Sequence, residues 1–187
     1  ADARALRACV TTRLNLEMAS TAEMTAIAQA LRPDMATLVP ERREELTTEG
    51  GLDAVGGFAA VSRAVSALQE AGIPVSLFIE PDGAQVDAAA RMGARYVEFH
   101  TGLYARRFGT AEGEAEFARL REATARARAA GIRVNMGHGL NLANVGPVAA
   151  LPGVEEFSIG HSIVSHAVFV GLAEAVRAMK RAIAGAA

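Results

Sequence analysis

The sequence predicts an α/β protein of the (β/α)8 barrel class, and three observations support this prediction. Strand and helix patterns alternate along almost all of the 187 residues, as they do in folds with a parallel sheet and right-handed crossovers. A similar helix-to-strand joint recurs at residues 71–75, 92–96 and 130–134. Each strand is apolar at one set of alternate positions and polar or small at the other. This alternation fits a barrel with helices outside and a polar lumen better than an open sheet that helices cover on both faces.

The order of the predicted elements is simple. The strand patterns lie at residues 12–18, 35–40, 74–80, 95–101, 133–137 and 155–160. The helical patterns lie at residues 21–32, 53–71, 82–92, 111–130, 142–151 and 164–184, after a leading helix at the start of the chain. Ser20 and Glu23 have the spacing of a capping box, with Ser20 as the N-cap. Gly72, Gly93 and Gly131 follow helical patterns, where a left-handed residue is favoured.

A closed barrel of this class needs eight strands, and the sequence shows six. We therefore expect one barrel domain over residues 1–187 that is incomplete at its N-terminal side. The missing part would be the first strand–helix–strand unit, about 50–60 residues with its loops.

Composition narrows the function classes. The chain is 51% hydrophobic and its formal net charge is −2, which fits a globular protein with a sizeable core. It has no basic stripe with interleaved aromatic residues, so no nucleic-acid partner is expected. No apolar run reaches the roughly 18 residues of a membrane span, and we predict a cytoplasmic protein. Cys9 is the one cysteine, and its helical surroundings predict a buried structural thiol.

Polar side chains collect at the carboxyl ends of the predicted strands, where barrel enzymes hold their active sites. These residues are, in chain order, Glu17, Glu80, Glu98, His100, His138 and His161. Glycines flank His138 and precede His161 in the loops after the last two strands, where backbone N–H groups can approach a phosphate closely. Residues 41–52 form a long polar connection with a Gly50–Gly51 pair, which suggests a lid over the substrate.

Two other functions fit the same pattern. The first is another phosphate-binding barrel enzyme, such as a metal-dependent epimerase or an aldolase. No tight ligand spacing favours a metal, and the only lysine, Lys180, lies on the last predicted helix, which disfavours a Schiff-base aldolase. The second is a non-catalytic barrel that binds phosphorylated ligands. The inward Glu17 and Glu98 disfavour it, because phosphate binding gains nothing from carboxylates.

Six segments resemble the motifs of the pyridoxine 5'-phosphate synthase family, in family order and at family spacing. They lie at residues 13–18, 39–45, 47–53, 97–102, 135–140 and 159–161. The resemblance covers essentially the whole chain and implies a TIM (β/α)8 barrel with extra helices. It implies an enzyme that condenses 1-deoxy-D-xylulose 5-phosphate with 3-amino-2-oxopropyl phosphate, without a metal or cofactor. It also implies a homo-oligomer built of dimers, an octamer.

The resemblance further implies three catalytic residues. Glu17 would be a proton acceptor, and His138 would be a proton donor and acceptor, suited by an ordinary pKa near 6.5. Glu98 would stabilise positive charge in the transition state.

Four more residues are implied to bind substrate. Thr47 would contact the pentulose phosphate, while Gly139, Gly160 and His161 would hold the amino-ketone phosphate. The family's further catalytic histidine, and several of its substrate-binding residues, belong to the first two barrel strands and have no counterpart in this sequence.

Overall fold

The computed structural model describes residues 2–42, 45 and 50–186, and these residues contain one parallel sheet. Its strands are β1 (Asn15–Met18), β2 (Met35–Leu38), β3 (Val75–Ile79), β4 (Tyr96–His100), β5 (Arg133–Gly137) and β6 (Val154–Ser158). The helices are α1 (Asp2–Cys9), α2 (Ala22–Leu31), α3 (Phe58–Glu70), α4 (Gly83–Arg91), α5 (Gly102–Arg106), α6 (Ala111–Ala129), α7 (Val145–Ala149), α8 (His161–Val170) and α9 (Leu172–Ala184).

The sheet follows the chain without doubling back. Its strand order is β1-β2-β3-β4-β5-β6, and every neighbouring pair is parallel. An ion pair between Arg13, just before β1, and Glu156 on β6 joins the two ends of this order. A flat six-stranded sheet would hold its first and last strands more than about 20 Å apart. The sheet is therefore curled, as the barrel prediction requires.

The middle strands are buried on both faces. Their outer side chains, among them Leu77, Phe99 and Met136, belong to one continuous hydrophobic core with the helices. The alternate positions, such as Ser76 and Asn135, are polar and equally buried. These positions face the inside of the curve, which agrees with the alternation seen in the sequence. The fold class predicted from the sequence is confirmed.

All six predicted strands are present, and their ends differ from the predicted ends by three residues or fewer. Gly72, Gly93 and Gly131 have φ values of 77°, 72° and 78°, which confirms the predicted left-handed residues. Helix α3 begins five residues later than predicted. The Oδ1 atom of Asp53 accepts the N–H groups of Val55 and Gly56, so this stretch forms a turn before the helix.

Other predictions about the helices are wrong. The last predicted helix is two helices, α8 and α9, because Gly171 adopts φ 82° between them and breaks the hydrogen-bond pattern. His166 therefore lies on α8. The N-cap of α2 is Thr21 and not Ser20, since the Thr21 hydroxyl accepts the Met24 N–H. The short helix α5 was not predicted.

Cys9 is exposed, which contradicts the buried thiol expected from its helix. Helix α1 buries none of its residues, so the helix pattern correctly gave the local structure but not its packing. Among the described residues no helix is long and apolar enough to cross a membrane.

Candidate active site

A cavity of about 640 Å³ opens at the carboxyl ends of the strands. Six of the seven residues that the sequence predicted for the site line it: Glu17, Glu98, His138, Gly139, Gly160 and His161. The seventh, Thr47, lies outside the described residues. Phe78 and Ser158 also line the cavity, and sequence analysis did not assign them to the site.

Glu98 lies in the middle of the sheet and is 4% exposed. Burial raises the pKa of its carboxyl group to about 7; the hydrogen bond from Ser158 lowers it and the charge of Glu17 raises it. The Ser158 hydroxyl donates to Glu98 Oε2 at 2.9 Å. A Cβ atom at Gly137, on the next strand, would overlap Glu98 Oε1, so glycine is needed there to make room for the carboxyl group.

His138 follows β5 with a backbone φ of 84°, an uncommon value for a residue that is not glycine. Thr101 holds this backbone in place. Its hydroxyl lies 2.7 Å from the Gly137 carbonyl oxygen and 2.6 Å from that of His138, and its N–H donates to Gly137 as well. Strained backbone of this kind persists where surrounding contacts fix it, and it is common at active sites.

The His138 ring opens to the cavity and is enclosed on one side by Phe78 and His100. This partial burial is the main reason that the pKa of His138 lies below its usual value. The neighbouring His100 lowers the pKa of His138 further by electrostatic repulsion, and the negative charge of Glu17 opposes the shift. At neutral pH the imidazole is therefore mostly uncharged and can accept a proton.

Glu17 occupies the edge strand β1, beside Thr37 of β2, and is exposed to the cavity. It is the outer of the two catalytic carboxylates that the sequence predicted. Its charge raises the pKa of both Glu98 and His138, which places the three groups in one electrostatic unit.

The two glycine loops meet at one side of the cavity. Gly139 has φ 76°, and Gly160 stands at the N-terminus of α8 with no side chain capping that helix end. A Cβ atom at Gly160 would meet no other atom within 4 Å. The first N–H groups of a helix have no partner within the helix and attract anions. The loops can therefore offer backbone donors to a phosphate group.

Glu80 and His100 were recognised as strand-end residues, but the sequence did not assign them to the site. The structure buries both beside His138 and joins them by a hydrogen bond of 2.8 Å. The signal was present, because both residues continue the polar alternation of their strands. Arg106, to which sequence analysis gave no role, ends α5, and its charge lowers the pKa of His138.

The predicted lid is only partly described. Gly51 and Leu52 are buried, and their N–H groups donate hydrogen bonds at the carboxyl end of β3. The Gly51 N–H donates to the side-chain carboxylate of Glu80, and the Leu52 N–H donates to the carbonyl oxygen of Phe78. Residues 43, 44 and 46–49, which carry most of the lid prediction, lie outside the described residues. The lid stays a prediction.

Fold and site together define a class, a (β/α) barrel whose cavity brings carboxyl and imidazole groups together at the carboxyl ends of the strands. Among the described residues no three His, Cys, Asp or Glu side chains are grouped to hold a metal ion. Residues 1–185 match the family model described as "Pyridoxal phosphate biosynthesis protein PdxJ". The chain belongs to this family.

Curated relatives agree with the family match. The chain is 57% identical over 182 residues to the pyridoxine 5'-phosphate synthase of Synechococcus sp. (strain JA-2-3B'a(2-13)), with 97% of this chain and 76% of the relative covered. It is 56% identical over 184 residues to the enzyme of that name from Cyanothece sp. (strain PCC 7425), with 98% and 77% covered.

A solved structure supports the fold. The 3-keto-L-gulonate-6-phosphate decarboxylase of Vibrio cholerae superposes with a TM-score of 0.68 at 14% identity, covering 97% of this chain and 77% of the other. At an identity this low, the superposition supports the fold and no shared function. Family membership decides against the epimerase, aldolase and non-catalytic alternatives, and it confirms the resemblance that the six motifs predicted.

Proposed function

We propose that this chain catalyses the synthesis of pyridoxine 5'-phosphate, and that Glu17, Glu98 and His138 carry its proton transfers. The substrates are 1-deoxy-D-xylulose 5-phosphate and 3-amino-2-oxopropyl phosphate, and phosphate and water leave. The assignment of these residues rests on one observation: a cavity brings two carboxyl groups and an imidazole beside two glycine loops.

The reaction joins an amine to a ketone, eliminates phosphate and closes an aromatic ring. Each stage moves protons, so the enzyme needs groups that change protonation state near neutral pH. A pKa of about 7 leaves Glu98 close to half ionised at neutral pH. A cationic imine or iminium beside Glu98 would lower this pKa and draw the carboxylate into stabilising the positive charge.

His138 and Glu17 complement Glu98. The lowered pKa of His138 gives an uncharged imidazole that can take a proton and return it later in the sequence. Glu17 lines the exposed side of the cavity, which supports its proposed role as the acceptor of a proton from a substrate that has entered. The imines formed on the way would hydrolyse in bulk water, which is the reason to expect a lid over the cavity.

The roles are tested by comparing two histidine variants. His138→Asn should lower turnover at least ~100-fold, the scale of a positioned acid–base group. His166, on α8, is not among the residues that line the cavity, so His166→Asn is the matched control. Product formation from both substrates is followed by mass spectrometry. Equal turnover in the two variants would remove His138 from the mechanism.

We also propose that Gly139, Gly160 and His161 bind the phosphate of the amino-ketone substrate. A crystal grown with that substrate or with inorganic phosphate should show the anion against their backbone N–H groups. Gly160→Val tests this more cleanly than Gly139→Val, because Gly139 has φ 76° and its Cβ would press on Ala105. An anion found solely at the opposite end of the strands would contradict the site.

The homo-octamer built of dimers and the cytoplasmic location stay predictions. Exposed apolar side chains on α8, Val168 at 79% and Phe169 at 86%, support burial against a second copy of the chain. Light scattering on the purified protein measures the mass in solution, and a monomer at micromolar concentration would contradict the oligomer.

A further inference from the structure

Glu80 and His100 form a buried pair that the proposed proton transfers do not use. Glu80 directly follows β3 and is 3% exposed, and His100 ends β4 at 6%. The Glu80 Oε1 atom lies 2.8 Å from His100 Nδ1 and accepts the Gly51 N–H at 2.8 Å. One carboxylate oxygen therefore holds both a histidine ring and the end of the polar connection between β2 and α3.

The far side of the His100 ring faces the proposed catalytic histidine. The ring centroids of His100 and His138 are 5.0 Å apart at 74°, and Phe78 packs against both rings. A Cβ atom at Gly102 would overlap His100 Nε2, and one at Gly50 would lie 3.3 Å from its Cε1. Glycines on two sides leave the ring the room it needs, and its neighbours fix its orientation.

We infer that Glu80 and His100 are a positioning pair that couples the seating of Gly50 and Gly51 to the protonation of His138. The inference rests on the proposed function, because it gives His138 its role in proton transfer. Glu80 orients His100 and fixes its Nδ1 proton, and the charge on the pair then sets how readily His138 accepts a proton.

Among the residues that the structure describes, four ionisable groups influence the pKa of His138, each from a different element. They are Glu17 on β1, Glu80 after β3, His100 on β4 and Arg106 on α5. His100 and Arg106 lower the pKa of His138, while Glu17 and Glu80 raise it. The two members of the pair therefore shift the pKa of His138 in opposite directions, and this difference in sign can be measured.

Two conservative variants test these opposite effects on the pKa of His138. His100→Asn can keep a donor toward Glu80 but cannot carry a positive charge, and Glu80→Gln keeps an acceptor but cannot carry a negative charge. The His138 imidazole should titrate at a higher pH in H100N than in E80Q, by at least about half a unit for charges this close. NMR of the ring C–H signals measures it, with H138N identifying the resonance. The kcat/KM–pH profile should move in the same direction.

A third variant tests whether Glu80 holds Gly50 and Gly51 in place. Glu80→Ala removes the acceptor of the Gly51 N–H, so that amide should exchange with solvent at least ~10-fold faster, whereas E80Q should keep most of its protection. KM should rise more than kcat falls in E80A, and E80Q should restore KM. If E80A does not fold, E80Q and H100N still decide the electrostatic half of the inference.

Equal His138 titration in H100N and E80Q would overturn the coupling, and an unchanged Gly51 exchange rate in E80A would overturn the seating. The proposed function fails in another way, through full turnover in H138N. The NMR titrations do not depend on turnover, so the two failures are distinguishable.

Discussion

The middle of the sheet and its two ends hold the same kinds of side chain in different settings. Glu98, on the central strand β4, is buried, and burial raises its pKa to about 7. Glu17, on the end strand β1, is exposed to the cavity, and so are Gly160 and His161 after β6. At the centre of the sheet, burial therefore changes the protonation of a carboxyl group, whereas the groups at the two ends of the sheet are accessible to a substrate.

The difference shows what burial contributes beyond position. A carboxylate at an exposed strand end needs little support from its surroundings. Glu98 requires space at Gly137 and a hydroxyl donor from Ser158, both from neighbouring strands. A change near Glu98 should therefore affect stability and activity together, whereas a change at Glu17 should affect activity alone.

The largest expected effect separates activity from stability at Glu17. Glu17→Gln keeps the shape of the side chain and removes its capacity to accept a proton. We expect at least a ~100-fold loss of turnover with a nearly unchanged melting temperature, as for an exposed acid–base group. Steady-state kinetics and thermal unfolding measure the two quantities, with Glu23→Gln, exposed on α2, as the control. Near-wild-type turnover would end the proposed role.

Glu98→Gln should lower activity and yet stabilise the fold at high pH. The pKa in the fold is about 7 against an ordinary 4.5, so the fold favours the neutral carboxyl group. Below about pH 4 the carboxyl group of Glu98 is mostly protonated in both the folded and the unfolded chain. Between pH 4.5 and 7 the unfolded chain loses its proton first, and wild-type stability falls. The variant avoids this loss, so its advantage should grow from near zero to at most about 3 kcal/mol by pH 8.

Glu155→Gln on β6 provides the opposite case. A hydrogen bond from Arg133 lowers the pKa of Glu155, so its contribution is present at neutral pH and lost as the pH falls through the lowered value. Denaturant unfolding of both variants across pH tests the comparison. If their pH dependences have the same sign, the contrast between centre and end is wrong.

A smaller effect is expected from added methyl groups. Gly137→Ala should push Glu98 aside, cost about 1–3 kcal/mol and lower turnover, because the new Cβ overlaps the carboxyl group. Gly160→Ala, where nothing lies within 4 Å, should change stability by less than about 0.5 kcal/mol. A double-mutant cycle with Glu98→Ala should recover most of the Gly137→Ala cost. Full additivity would show that the clash is absent.

The sequence predicted the parts that depend on local pattern. The alternation in residues 74–80 and 95–101 placed Glu98 and His100 inward, because successive side chains of a strand point to opposite faces. It did not predict the raised pKa of Glu98, which depends on Gly137 and Ser158 from distant parts of the chain. The prediction that Cys9 is buried was wrong for a related reason, since a helix pattern does not show whether another element covers the helix.

The break between α8 and α9 was missed because Gly171 interrupts apolar residues that otherwise continue a helix pattern. A single glycine inside a helix is tolerated at a modest cost, so sequence alone favoured one helix. The structure gives Gly171 φ 82° and ψ 151°, outside the helical region. Helix α5 was missed because five residues are too few for a periodic signal.

The smallest expected effect concerns the contact between the two ends of the sheet. Arg13 and Glu156 form an ion pair, but their side chains are 54% and 40% exposed. Exposed pairs gain little, because water screens the charges and both long side chains lose freedom. Arg13→Gln should therefore lower the free energy of unfolding by less than about 1 kcal/mol, and the difference should shrink further in 1 M salt. Denaturant unfolding at low and high salt measures it. A loss above about 2 kcal/mol that salt does not reduce would mean that this contact holds the curled sheet together, and the ends would then matter to the fold as much as the centre does.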